Sequence, residues 1–63
     1  MSFKYTLRKG DKGQEVVRLQ LKVNASADGN FGSGTEKSVK EYQDDNSLAV
    51  DGIAGPHTLG SLG

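Results

Sequence analysis

Apolar side chains recur at helical spacing in two long stretches of this chain and one short one. Val16, Leu19 and Val23 fall at i, i+3 and i+7, with Val17 and Leu21 widening the stripe, which predicts a first helix over residues 14–23. Thr35, Val39, Tyr42 and Asn46 stack at i, i+4, i+7 and i+11, which predicts the longest helix over residues 33–46. Its other side carries Glu36 four residues before Lys40 and Lys37 four before Glu41, the spacing of a solvated, charge-paired face. Leu59 and Leu62 follow Pro56 and mark a third helix of about two turns, ending near Gly63. Before the first helix, Phe3 and Tyr5 alternate with Lys4 and Thr6 ahead of Leu7, as in a short extended arm. Between the second and third helices, Leu48 and Val50 flank Ala49 as a short link whose two larger side chains point inward. No other stretch alternates as a strand would. The expected fold class is therefore all-α, a compact three-helix bundle in one domain over residues 1–63, with an N-terminal arm over 1–6.

The connections carry their own pattern. Asp28-Gly29-Asn30-Phe31-Gly32-Ser33-Gly34-Thr35 returns 23 residues later as Asp51-Gly52-Ile53-Ala54-Gly55-Pro56-His57-Thr58, so D-G-x-x-G-x-x-T occurs twice. An Asp-Gly pair makes a tight turn, because the carboxylate bonds the backbone two residues on and glycine accepts positive φ. Each turn should deliver a helix. Pro56 suits the first helical position in the second copy, and alignment on it makes Ser33 the first helical residue of the first copy. Ser33 and Glu36 also have the spacing of a capping box, which would make Ser33 the cap instead. Asp11 and Gln14 have the same cap spacing before the first helix. Phe31 and Tyr42 are placed in the core, with stacking on a sugar ring as the alternative. Gln20 and Gln43 each follow the last large core residue of a helix, where an amide can bond the backbone of the adjoining loop.

Composition narrows the chemistry. A 63-residue chain without cysteine has room for one small domain and no disulfide, and its single histidine, His57, leaves a structural zinc site short of ligands. There is no apolar run of membrane-spanning length, and the N-terminal residues mix charge with aromatics rather than forming a signal peptide. Gly29 and Gly34 have the gap of a phosphate loop, but Thr35 stands where its lysine should be; a calcium loop starting at Asp28 would need its final glutamate at Val39. Neither cofactor nor metal is expected. No catalytic residues are expected either, because His57 has no acid partner in the pattern and Asp44 with Asp45 lies at a helix end facing water. The net charge is zero, yet residues 1–24 carry +4 and residues 25–63 carry −4. Two solvated faces are the first reading of this asymmetry; alternatively the basic part, much of it supplied by Lys4, Arg8, Lys9 and Lys12, would steer the module toward an acidic polymer.

With these residues placed, the chain resembles the peptidoglycan-binding domain family, small three-helix modules attached to cell-wall hydrolases. The resemblance runs from Leu7 to Leu62. It is carried by Leu7-Arg8-Lys9-Gly10-Asp11-Lys12-Gly13 leading to Val16, Leu19 and Gln20, and then by Asp28-Gly29, Phe31-Gly32, Thr35, Val39, Tyr42-Gln43 and Asn46. Leu48, Val50-Asp51-Gly52, Gly55-Pro56 and Thr58 complete it. Tyr42 stands where phenylalanine is usual, Ala54 where a larger residue is common, and the loop over 24–27 is short. An opening of this kind is also similar to the N-terminal domains of phage endolysins. The resemblance implies a non-catalytic module that binds peptidoglycan, through glycan or stem peptide, and targets an attached hydrolase at the bacterial cell wall. Nucleic acid and membrane are not expected partners, and a monomer is expected; a protein-interaction module of the same fold without wall affinity is the alternative.

The start of the second helix is the expected site. Its unpaired N–H groups and positive dipole end point toward the loop over 30–34, where a carboxylate or an acetamido carbonyl would find donors. The candidate ligand-binding residues are Asp28, Asn30, Gly32, Ser33, Gly34 and Thr35. Alternatively Asp28, Asn30 and Thr35 only build the turn and cap. Asn30 separates the two readings, since its counterpart in the second copy is Ile53.

Overall fold

The computed structural model describes residues 6–62 and arranges them around three helices, α1 (Gln14–Lys22), α2 (Ser33–Asp45) and α3 (Pro56–Leu62). The all-α, three-helix expectation holds, with each boundary within one residue of the pattern. The alternation at Phe3 and Tyr5 lies outside the described residues. Val16, Leu19 and Val23 from the inner stripe of α1 meet Val39 of α2 and Leu59 of α3, while Leu7, Phe31 and Ala54 fill the centre from the connecting segments. Ala25, Tyr42 and Leu62 close the edges of this core. Leu19 and Val39 are completely covered. Truncating either to alanine would leave a cavity, and such changes at aliphatic core positions cost about 1–5 kcal/mol.

Two apolar positions turn out to face water. Leu21 is 65% exposed, because at 3.6 residues per turn it lies about 200° around the axis from Leu19. Val50 is 51% exposed. The link there folds into a three-residue turn closed by the Asp51 N–H on the Ala49 carbonyl (3.2 Å), and Val50 occupies its outer corner. The charged side of α2 also differs from a purely solvated face. Gly52 is buried beneath it, and a Cβ added there would lie 2.9 Å from both Glu36 Cγ and Lys40 Cε, so their methylenes roof the second Asp-Gly turn. Among the described residues the salt bridge that forms is Arg18 with Glu15 (2.8 Å), three residues apart on α1.

Both side-chain caps are replaced by glycine. Gly32 is the N-cap of α2 without a side-chain cap bond, so Ser33 is the first helical residue, as the alignment on Pro56 implies and the capping box does not. Gly13 caps α1 at φ +120°, a conformation in which a side chain would be strained. Asp11 is used elsewhere: its Oδ2 accepts the Arg8 N–H (3.0 Å), and its own N–H bonds the Arg8 carbonyl (3.0 Å), closing a turn over 8–11.

That turn belongs to a segment that ties the molecule together. Leu7 pairs antiparallel with Ala54 through both backbone bonds (3.0 and 2.8 Å), and Lys12 pairs with Asn30. The Lys12 bridge is flanked by Gly13 N–H on the Gly29 carbonyl (3.0 Å) and Phe31 N–H on the Asp11 carbonyl (2.9 Å). One short segment therefore fastens the residues after both Asp-Gly turns, which holds those turns on the same core.

The helix exits are alike as well. Asn24 (φ 59°) follows α1 and Ser47 (φ 57°) follows α2 in the left-handed region. The next residue reaches back in each case, Ala25 N–H to the Gln20 carbonyl and Leu48 N–H to the Gln43 carbonyl, both 2.8 Å. This six-to-one bond satisfies a carbonyl that the end of the helix would leave open.

Candidate ligand groove

Gln20 is the residue on which the first connection is hung. It follows Leu19 on α1 and is completely buried, so its amide must find partners inside the protein. Nε2 donates to Asp28 Oδ1 (2.9 Å), the Asn30 carbonyl (3.0 Å) and Thr35 Oγ1 (3.0 Å), while Oε1 accepts the Gly29 N–H (2.9 Å). Two amide hydrogens thus serve three acceptors, one of them shared. Asp28 Oδ1 also accepts the Asn30 N–H (2.9 Å), which closes the turn. Gln43 does the same work 23 residues on: Nε2 donates to Asp51 Oδ1 (3.0 Å), the Ile53 carbonyl (3.0 Å) and Thr58 Oγ1 (3.1 Å). Its Oε1 accepts the N–H groups of Asp51 (3.2 Å) and Gly52 (3.0 Å). The expectation that both glutamines bond their loops is met, and each reaches further than the backbone.

The carboxylates respond to these bonds. The Asn30 N–H and then the Gln20 amide hold Asp28 below the usual aspartate range, against a smaller opposing effect of desolvation. The Ile53 N–H and then the Gln43 amide do so for Asp51. Both side chains are ionised wherever the fold is intact near neutral pH. Their Oδ2 atoms have no hydrogen-bond partner among the described residues.

Above the first network lies an open groove of about 410 Å³. The exit of α1 supplies Asn24, Ala25 and Ser26; the turn supplies Asp28, Asn30 and Gly32; the first turns of α2 supply Gly34, Thr35 and Ser38. Five of the six residues picked out from the sequence therefore come together here. Ser33 is the exception, exposed at the start of α2 but not part of the lining. Thr35 is buried with its hydroxyl committed to Gln20, so its place in the wall comes with a structural duty. The Asn30 side chain is exposed and has no hydrogen-bond partner among the described residues. The N–H groups of Ser33, Gly34 and Thr35 precede the first intrahelical bond of α2, from Glu36 N–H to the Gly32 carbonyl (2.9 Å).

Asn24, Ser26 and Ser38 are additions that the motif did not reveal. The 23-residue repeat was the available signal for Asn24, because Ser47 shares its left-handed conformation. A second groove, of about 300 Å³, occupies the matching place beside Asp51. Leu48, Ala49, Ile53 and Pro56 line it where Ala25, Ser26, Asn30 and Ser33 stand in the first copy, so its wall is largely apolar. Among the described residues no three His, Cys, Asp or Glu side chains converge as metal ligands, and no helix is long and apolar enough to cross a membrane.

A small all-α module with a polar groove over a buried glutamine network is a binding domain in form. The chain belongs to the peptidoglycan binding domain family, whose profile matches residues 12–62. It is 37% identical over 65 aligned positions to a zinc D-Ala-D-Ala carboxypeptidase of Streptomyces albus G, covering 90% of this chain and 26% of that protein. The SleB N-terminal domain superposes with a TM-score of 0.91 at 29% identity, covering 98% of this chain and 93% of that one. A Burkholderia AP3 phage endolysin superposes with a TM-score of 0.89 at 38% identity, covering 92% of this chain and 24% of the endolysin. This chain thus spans about a quarter of the length of the carboxypeptidase and of the endolysin. It is a peptidoglycan-binding module similar to those carried by cell-wall hydrolases.

Proposed function

We propose that this chain is a non-catalytic, monomeric module that holds an attached hydrolase against peptidoglycan at the bacterial cell wall, and that the groove beside the Asp28 turn is where the wall is read. The contrast between the two grooves carries this reading. Gln20, Asp28, Gly29 and Thr35 have identical counterparts in Gln43, Asp51, Gly52 and Thr58, which is what a shared folding duty requires. Asn30 and Ser26 have Ile53 and Ala49, so the amide and hydroxyl in the first groove are not demanded by the scaffold. Peptidoglycan offers amides and hydroxyls to such a wall. A peptide or acetamido carbonyl fits the early N–H groups of α2, and Gly32 and Gly34 let it approach closely. One small site of this kind binds weakly, with Kd between about 1 μM and 1 mM, and retention then depends on the polymer presenting many sites.

Titration of the 15N-labelled chain with a soluble muropeptide tests the site. Amide shifts should concentrate at residues 24–26, 30–35 and 38. Asn30→Ala should weaken binding while changing stability by less than about 0.5 kcal/mol, as for an exposed side chain without partners. No shift at millimolar muropeptide would favour a protein-interaction module of the same fold. Unchanged binding with lost stability in the Asn30 variant would return the loop to a purely structural role.

A further inference from the structure

We propose that the first groove selects a primary ammonium group, with the unpartnered carboxylate oxygen of Asp28 as its counter-charge and the polar side chains of Asn24, Ser26 and Asn30 around it. This rests on the groove being the peptidoglycan site and supplies the chemistry of what it reads.

The second copy of the turn separates what Asp28 does for the fold from what is left over. Asp51 bonds Gln43 and the Ile53 N–H through Oδ1 alone, and Asp28 bonds Gln20 and the Asn30 N–H through the same atom. In both copies Oδ2 is surplus to the turn. Asp51 lines a largely apolar groove, whereas Asp28 lines one walled by amides and hydroxyls that can orient a hydrogen-bonding ligand.

Charge then chooses the kind of ligand. Among the described residues Asp28 is the one ionisable side chain lining the first groove. Lys12 stands opposite Asn30 across the backbone bridge, but it lines a neighbouring cavity together with Asp11 and Glu15. A carboxylate entering the groove would therefore meet a fixed negative charge with no cation among the described lining residues, so the carboxylate expected from the helix start is disfavoured. An ammonium group would receive a charge-assisted hydrogen bond. Stacking on a sugar ring is unsupported among the described residues, because Phe31 is only 3% exposed and none of their aromatic side chains lines the groove. Peptidoglycan chemistry offers primary ammonium in two places, the side chain of a diamino acid in the stem peptide and an amino sugar lacking its acetyl group.

Four probes and two variants distinguish the outcomes. The probes are a muramyl tripeptide ending in lysine, the same peptide acetylated on Nε, a glucosamine oligosaccharide and its N-acetylated form, each titrated against 15N-labelled protein. Asp28→Asn keeps an oxygen for the Gln20 and Asn30 bonds and removes the charge; Asp51→Asn is the matched control. Because the carboxylate is solvent-exposed, the free-amine form should bind about three- to five-fold tighter than its acetylated partner. Asp28→Asn should abolish that preference and Asp51→Asn should preserve it. The peptide or sugar pair that shows the preference identifies the source of the amine. Equal affinities for free and acetylated forms in both pairs, with shifts still centred on the groove, would overturn the ammonium proposal and leave the groove as the site. Absence of groove shifts with all four probes would overturn both. If Asp28→Asn lowers the melting temperature too far for titration, the free-versus-acetylated comparison on the unaltered protein decides alone.

Discussion

Replacing each buried glutamine by methionine tests the idea that these two amides organise the fold. Methionine keeps the length of the side chain and most of its volume, so the change isolates hydrogen bonding from packing. In Gln43→Met the partners differ in what they can do next. Asp51 Oδ1 and the Ile53 carbonyl border solvent and can be rehydrated, but the Gly52 N–H and Thr58 Oγ1 are buried and lose the amide that served them. Stranding a buried polar group costs about 1–3 kcal/mol, so two such groups imply about 2–6 kcal/mol. In Gln20→Met only Thr35 Oγ1 is in that position, because Gly29 is half-buried and water can reach its N–H. The expected cost is nearer about 1–3 kcal/mol. A chain of 63 residues has a total stability of about 3–9 kcal/mol at ordinary values per residue. Gln43→Met should therefore lose about two thirds of that stability and Gln20→Met about one third. Urea unfolding followed by far-ultraviolet circular dichroism measures both. Two variants within about 0.5 kcal/mol of the parent, or a greater loss at Gln20 than at Gln43, would refute the reasoning.

The remaining predictions concern the helix exit, pH and salt. Ser47→Gly should stabilise the chain by about 0.5–1 kcal/mol, because glycine takes the left-handed conformation at φ 57° without a Cβ clash; a fall in the urea midpoint would contradict it. Asp28 and Asp51 have pKa values lowered by folding, so the stability they contribute is complete above the unfolded aspartate value and is lost as pH falls through the lower folded values. The urea midpoint should accordingly drop as pH is taken below about 4, and the double variant Asp28→Asn, Asp51→Asn should show a shallower drop; identical profiles would sink this. Retention on purified sacculi should fall between low and physiological ionic strength if Arg8, Lys9 and Lys12, all exposed on the N-terminal segment, steer the module, and flat retention would remove that role.

Local physics made much of this protein legible in its residues. The inner stripe of α1, the position of Pro56 and the two Asp-Gly turns depend on helical spacing and on backbone preferences a few residues long, and they stand where the pattern places them. The bonds from Gln20 and Gln43 to their loops were foreseeable for a similar reason, since an amide behind the last core residue has nowhere else to turn. Direction was less legible than spacing. Leu21 and Val50 are apolar and periodic enough to pass as core, yet the helix axis turns one outward and a three-residue turn pushes the other into water. Ser33 and Asp11 carry good capping chemistry, but backbone paths set by Gly32 and Gly13 begin the helices elsewhere. The pairing of Leu7 with Ala54 and of Lys12 with Asn30 joins residues far apart in the chain, and no local preference encodes such a contact. The groove belongs to the same class of fact. Its walls come from the exit of α1, the turn and the start of α2, so Asn24, Ser26 and Ser38 join Asn30 only once the buried amide of Gln20 has drawn those segments together.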